Sequence, residues 1–183
     1  AFVSSSTSMS LTLSVTTPPS VGSLTVVVTS FGGSSGAAVT VATVEGPSGL
    51  PFMPSWFGIV SSADGTKLAV GVNIAAAGGN IWLSSNSGAT WTAQSGGAPT
   101  SASWRSIASS SDGTKLAAVA SSGNIWLSSN SGATWTAQSG GAPTSASWYA
   151  IASSSDGTKL AAVAYSGNIW LSSNSGATWT AQS

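Results

Sequence analysis

From residue 55 onward, short apolar runs alternate with clusters of Ser, Asp, Asn and Gly, and no stretch sustains a helical period. The run Trp104–Ser109 stops at Ser-Asp-Gly-Thr, where Asp112-Gly113 supplies the positive-φ turn that joins two antiparallel strands. Lys115–Ala120 reads as a second strand closed by Ser-Ser-Gly, Asn124–Ser129 as a third and Thr134–Gln138 as a fourth. Residues 147–183 repeat residues 103–139 almost letter for letter at an offset of 44 (Trp104 to Trp148, Trp126 to Trp170), with Tyr149, Ala150 and Tyr165 among the few differences. An earlier copy covers 55–95 and carries a four-residue insertion around Asn73–Gly79. The pattern therefore predicts three successive four-stranded units.

The chain ahead of them is organised differently. Residues 1–46 hold three strand candidates, and the Pro-rich stretch 47–54 forms a stiff connector. Ser8–Thr17 alternates strictly, with Met9, Leu11, Leu13 and Val15 on one face and hydroxyls on the other, until Pro18-Pro19 ends it. Ser23–Phe31 and Ala37–Glu45 follow, separated by Gly-Gly-Ser-Ser-Gly. Three strands are too few for a sandwich of about seven. They need a partner sheet from the repeats or from another copy. The arm Phe2–Thr17 is thus a candidate for strand exchange, in which Met9, Leu11, Leu13 and Val15 fill a groove of a neighbouring subunit. Folding back as an edge strand of its own chain, or as part of a fourth blade, stands beside it as an equal alternative.

Four strands in about 44 residues is the size of a propeller blade. The expected fold class is all-β: a propeller-like repeat domain of three four-stranded blades after a small N-terminal β segment. Between the third and fourth strands lies the most specific motif of the chain. It reads Ser84-x-Asn86-x-Gly88-x-Thr90-Trp91, then Ser128, Asn130, Gly132, Thr134 and Trp135, then Ser172, Asn174, Gly176, Thr178 and Trp179. An Asn side chain at that place can accept bonds from backbone N–H groups ahead of it, Gly supplies positive φ, and Trp opens the next strand with a large apolar face. The motif resembles the Asp-box, or BNR, repeat of sialidases, sortilin-type receptors and photosystem assembly factors, over residues 55–183 and with Asn in place of Asp in every copy. The resemblance implies a propeller with the motif at the hairpin between strands three and four.

It does not imply the enzyme. Sialidases resembling this family use an arginine triad, a Tyr nucleophile with a Glu partner and an Asp acid/base. This chain has one Arg, Arg105, and one Glu, Glu45, the latter outside the repeats. Only 4% of the residues are charged, and His and Cys are absent, which removes His-based triads, thiolate nucleophiles and the usual zinc sites. Asp64, Asp112 and Asp156 are equally placed turn residues, each followed three positions later by Lys67, Lys115 or Lys159, which sets a cation near each turn for about 0–1 kcal/mol. No catalytic, cofactor or metal residue is assigned. A net charge of zero argues against nucleic acid, which is bound by phosphate neutralisation, and no apolar run reaches the 18–20 residues or so of a membrane span.

What remains is a neutral, hydroxyl-rich surface with little electrostatic repulsion between copies. The expected role is structural or adhesive, outside the cell, with other copies of the chain as partners in a homopolymer, a filament or surface array. No Asn-x-Ser/Thr sequon occurs, and an opening at Ala1 fits a chain matured by signal removal. Three blades do not close a ring of 4–8, so the outer faces call for a divergent N-terminal blade, contact between chains or further repeats. A carbohydrate-binding module, or a fragment of a longer Asp-box protein, is the rival reading. All nine Trp recur at fixed repeat positions, as core residues do. Arg105, Tyr149 and Tyr165 break the repeat and are the candidates for glycan contact.

Overall fold

The computed structural model describes residues 24–28, 39–44, 55–73, 79–138 and 140–182. The described residues form strands and turns without helix. β1 (Leu24–Val28) and β2 (Val39–Val44) pair antiparallel, with a register shift between Val26 and Val27. They match two of the three N-terminal strand candidates in shortened form. The third, Ser8–Thr17, lies outside the described residues, as do the connector 47–54 and residues 74–78 of the insertion.

The first repeat contains β3 (Ser55–Ser61), β4 (Leu68–Asn73), β5 (Ile81–Ser84) and β6 (Thr92–Ala93). The second contains β7 (Trp104–Ser109), β8 (Leu116–Ala120), β9 (Ile125–Ser128) and β10 (Thr136–Ala137). The third contains β11 (Trp148–Ser153), β12 (Leu160–Ala164), β13 (Ile169–Ser172) and β14 (Thr180–Gln182). Each repeat is one four-stranded antiparallel meander in which every strand pairs with its sequence neighbour. The first strands β3, β7 and β11 lie side by side along the row of sheets.

The fourth strand is shorter than its apolar pattern suggests. Thr134 belongs to the preceding turn, where its N–H donates to Asn130 Oδ1 at 2.9 Å. Gln138, at the other end, is buried and donates from Nε2 to the carbonyl of Ala142 at 3.0 Å. Thr136 and Ala137 pair with β9, and the Gln138 N–H adds one more bond to it, to the Ile125 carbonyl at 2.9 Å.

The core lies between the sheets. Along β8 the residues alternate with period two, and both sets are buried. Leu116, Ala118 and Ala120 pack with Ala69, Ile81, Trp104 and Trp135 at the seam between the first two blades. Ala117 and Val119 pack with Ile125, Trp148, Ile151 and Trp179 at the next seam. A strand covered on both faces tolerates only apolar residues, and the small Ala side chains let the sheets approach. Trp104 and Trp148 close the seams from the following blade, each donating its indole N–H back to the previous one, to Gly79 at 3.0 Å and Gly123 at 2.9 Å. The connections Gly96–Pro99 and Gly140–Pro143 join the seam as well. The Gly96 carbonyl accepts from Trp135 N at 2.6 Å, and a Cβ on Gly96 would stand 2.0 Å from the Ala133 oxygen. No side chain larger than hydrogen fits there.

The seam fixes what each position contributes. Ile125 is fully buried, whereas its repeat-mate Ile169 is 49% exposed on the third blade. Ile125→Ala should therefore destabilise the chain by about 2–5 kcal/mol. Ile169→Ala should cost about 0.5 kcal/mol or less. Urea unfolding in dilute protein, followed by Trp fluorescence, measures both; equal losses would contradict a core placed between blades.

Candidate functional site

Polar chemistry gathers at one end of each blade, where the turn between its first two strands meets the hairpin between its last two. The Ser131 N–H donates to the Thr114 carbonyl at 2.8 Å, as Ser87 does to Thr66 and Ser175 to Thr158. Within the first turn, the Asp112 carboxylate accepts from the hydroxyls of Ser110 and Thr114 and from the Thr114 N–H. Ser110 Oγ in turn accepts from the Lys115 N–H at 3.0 Å. The same set surrounds Asp64 and Asp156. These donors stabilise the ionised carboxylate. The Ser62 hydroxyl, then the Thr66 N–H, hold Asp64 down at about 2 from an ordinary 3.8. Asp112 and Asp156 are held well below the usual carboxylate range, foremost by Ser110 and Ser154. A carboxylate fixed in this form is a poor proton donor near neutrality.

The Ser-x-Asn-x-Gly-x-Thr-Trp hairpin is organised the same way in all three blades. Ser128 Oγ donates to Asn130 Oδ1 and accepts from the Gly132 N–H at 2.9 Å. Asn130 Oδ1 accepts from the Thr134 N–H, and its amide donates to the Thr134 hydroxyl at 2.9 Å. The Trp135 indole donates to the Gly132 carbonyl at 3.0 Å. Ser84, Asn86, Gly88, Thr90 and Trp91 repeat this network, as do Ser172, Asn174, Gly176, Thr178 and Trp179. Asn thus acts as acceptor and donor at once; an ionised Asp could not donate to the Thr hydroxyl.

The lysines do something the spacing alone does not show. They do not pair with the carboxylate of their own turn. Lys67 Nζ reaches the next blade and donates to the Asp112 carbonyl at 3.0 Å and to Ser131 Oγ at 3.2 Å. Lys115 repeats this with Asp156 and Ser175 at 3.1 and 3.2 Å. Ser87, Ser131 and Ser175 hold positive φ of 56–58°, so the Lys acceptor sits on a backbone conformation unfavourable for Ser. A ladder of main-chain bonds runs alongside, from Ala63 N to Ser111 O at 2.6 Å and from Ser111 N to Ser155 O at 2.7 Å.

The residues that break the repeat lie elsewhere. Arg105 and Tyr149 are both the unpaired residue of a bulge in the first strand of their blades, between Trp104 and Ser106 and between Trp148 and Ala150. A bulge re-aims its side chain, and both side chains are exposed. The Arg105 guanidinium lies 5.4 Å from the centre of the Phe57 ring, within cation–π range. Phe57 has no motif to mark it, and the contact became visible only once β3 and β7 stood side by side. Tyr165 is 74% exposed in the turn after β12. Met9, Leu11, Leu13 and Val15 lie outside the described residues. No group of three or more His, Cys, Asp or Glu stands together among the described residues.

No protein-family model matches the chain, and no curated protein does. Solved structures do. YCF48 from Cyanidioschyzon merolae superposes with a TM-score of 0.56 at 18% identity, over 72% of this chain and 38% of that one. The β-propeller domain of Cps50 (Swd1) from Myceliophteria thermophila gives 0.50 at 12%, over 69% and 38%. This chain is built from propeller blades. A GH74 xyloglucanase from Xanthomonas campestris aligns at 0.52 and 19% identity over 68% of this chain and 18% of that one. The chain spans well under half the length of each of these neighbours, and identities this low carry the fold alone.

The turn carboxylates set the acid behaviour. With their folded pKa values below the unfolded one, their stabilisation is complete above about pH 4 and is lost as pH falls, through about 2 for Asp64 and further down for Asp112 and Asp156. With no His in the chain, stability should be flat from about pH 5 to 7. Replacing Asp64, Asp112 and Asp156 together by Asn should flatten the acid limb of a plot of urea midpoint against pH. An unchanged acid limb in that variant would remove the turns from the account.

Proposed function

We propose that this chain is a non-enzymatic structural or adhesive segment of Asp-box type, acting outside the cell and joining to further copies of itself. One observation carries the reading: all three repeat Asp and two of the three repeat Lys serve the fold. The Asp carboxylates are bonded within their turns, and Lys67 and Lys115 tie one blade to the next. The motif supports the Asp-box assignment through its three equivalent hairpins, with Asn in the place of Asp. The near absence of charge removes the long-range repulsion that keeps copies apart.

In this reading the arm Phe2–Thr17 is a connector. β1 and β2 pair only with each other among the described residues, and a strand of a second chain could extend their ladder. Deleting residues 1–17 should then convert assemblies into folded subunits, seen by light scattering and by retained β-sheet circular dichroism. Filaments that survive the deletion would exclude the arm. Turnover of glycoside or ester substrates by the purified chain would overturn the non-enzymatic reading.

A second reading, a glycan-binding propeller module, is favoured by Arg105 stacked over Phe57 and by the exposed Tyr149. It expects glycan-array binding that Arg105→Ala or Tyr149→Ala abolishes while the melting temperature stays within about 2 °C, as surface substitutions do.

A further inference from the structure

Both seams are built from the same two surfaces, and among the described residues each surface recurs uncovered at an end of the row of blades. On the leading side, Trp104 and Trp148 are 1% and 2% exposed, while their repeat-mate Trp56 is 42% exposed. Ile107 and Ile151 are 5% and 7% exposed, and their repeat-mate Ile59 is 64%. On the trailing side, Ile81 and Ile125 are fully buried but Ile169 is 49% exposed, and Leu171 is 40% exposed. The Leu127 side chain is packed against the next blade at Gly176, as Leu83 is at Gly132. The stem of Lys67 covers Gly113 and that of Lys115 covers Gly157, whereas no described residue stands within 4 Å of the Cβ position of Gly65. Lys159 is exposed. An open groove on the third blade, lined by Lys159, Leu160, Leu171 and Thr180, takes the same residues from its blade as the groove enclosed between the second and third blades takes from Lys115, Leu116, Leu127 and Thr136.

The geometry points to a specific joint: the trailing face of the third blade seats the first blade of a second copy of this chain, forming a third seam like the two within it. The occupant follows from these seams, because the surface that each trailing face already binds is the one the first blade presents. Trp56 and Ile59 would close over Ile169 and Leu171. Lys159 would lie across Gly65 of the second copy and donate to its Asp64 carbonyl and Ser87 hydroxyl, as Lys67 does to Asp112 and Ser131. The Ser155 N–H would extend the turn-to-turn ladder to the carbonyl of Ala63. The contact is head-to-tail. It rests on the self-association reading and is the alternative connector to the N-terminal arm, the one expected if assemblies survive deletion of residues 1–17.

The test uses the full chain, with mass by light scattering over a range of concentrations. Wild type should associate. Ile59→Arg, which spoils only the leading face, and Leu171→Arg, which spoils only the trailing face, should each weaken association at least about tenfold, the effect of roughly 1.4 kcal/mol. Mixing the two variants should restore a complex that stops at one copy of each, joined through the one intact pair of faces. Both positions are exposed, so circular dichroism and melting should match wild type; Lys159→Glu serves as a second trailing-face variant if Leu171→Arg does not fold. Wild-type association that neither face alters would overturn this joint and leave self-association standing. A wild type that stays monomeric at every concentration would overturn both.

Discussion

Everything in the repeat domain depends on the contact between consecutive sheets. A single four-stranded meander of this size buries little on its own, and a repeat becomes stable by covering its neighbour's face. Here that cover combines three interactions in register. Apolar side chains fill the gap, with β8 contributing to the seams on both sides. Trp indoles and main-chain bonds lock the blade edges, and a lysine from each of the first two blades reaches the turn of the next. The lysine stem is half-buried while its nitrogen, still reached by solvent, donates to a carbonyl and a hydroxyl of the next blade.

This division of labour explains the unusual composition. Ordinary domains keep water at their surface with ions. This chain uses hydroxyls, and it spends many of them on turns: Ser110 and Thr114 hold Asp112, while Ser128 and Thr134 hold the Asn130 hairpin. With the turns supplied by side chains, the strands between them can be short and rich in Ala. The few residues outside that scheme, Arg105, Tyr149 and Tyr165, stand out by contrast. Two of them occupy matching bulges at the side of the blade where first strands adjoin.

Much of this was legible in the sequence because its signals are local and repeated three times. The 44-residue period, the Asp-Gly turns and the Trp positions predicted three meanders, and the first strand of the second copy was bounded at Trp104 and Ser109 as observed. Strand ends blurred where side chains compete for the backbone. Lys115 reads as the start of a strand, yet its N–H is taken by Ser110 Oγ. What was not legible was the direction of the long side chains. Lys67 follows its own Asp by three residues in sequence, but its nitrogen ends 64 residues away at Ser131. Nothing in the spacing separates those outcomes; the gap between two sheets decides it. The Phe57–Arg105 contact was hidden for the same reason.

Near-identity of the second and third repeats has a consequence for how the chain reaches this state. A strand slipped by one residue is rejected because it turns its apolar set outward. A whole blade slipped by one repeat meets no such penalty. The surface on the second blade that receives the third is rebuilt, almost residue for residue, on the third itself. The first blade carries its own signature, with Gly58 where the others have Ser106 and Ala150 and an insertion before Gly79, which distinguishes it from the two that follow. That asymmetry makes a slip by one repeat costly at the first blade and nearly neutral between the second and the third.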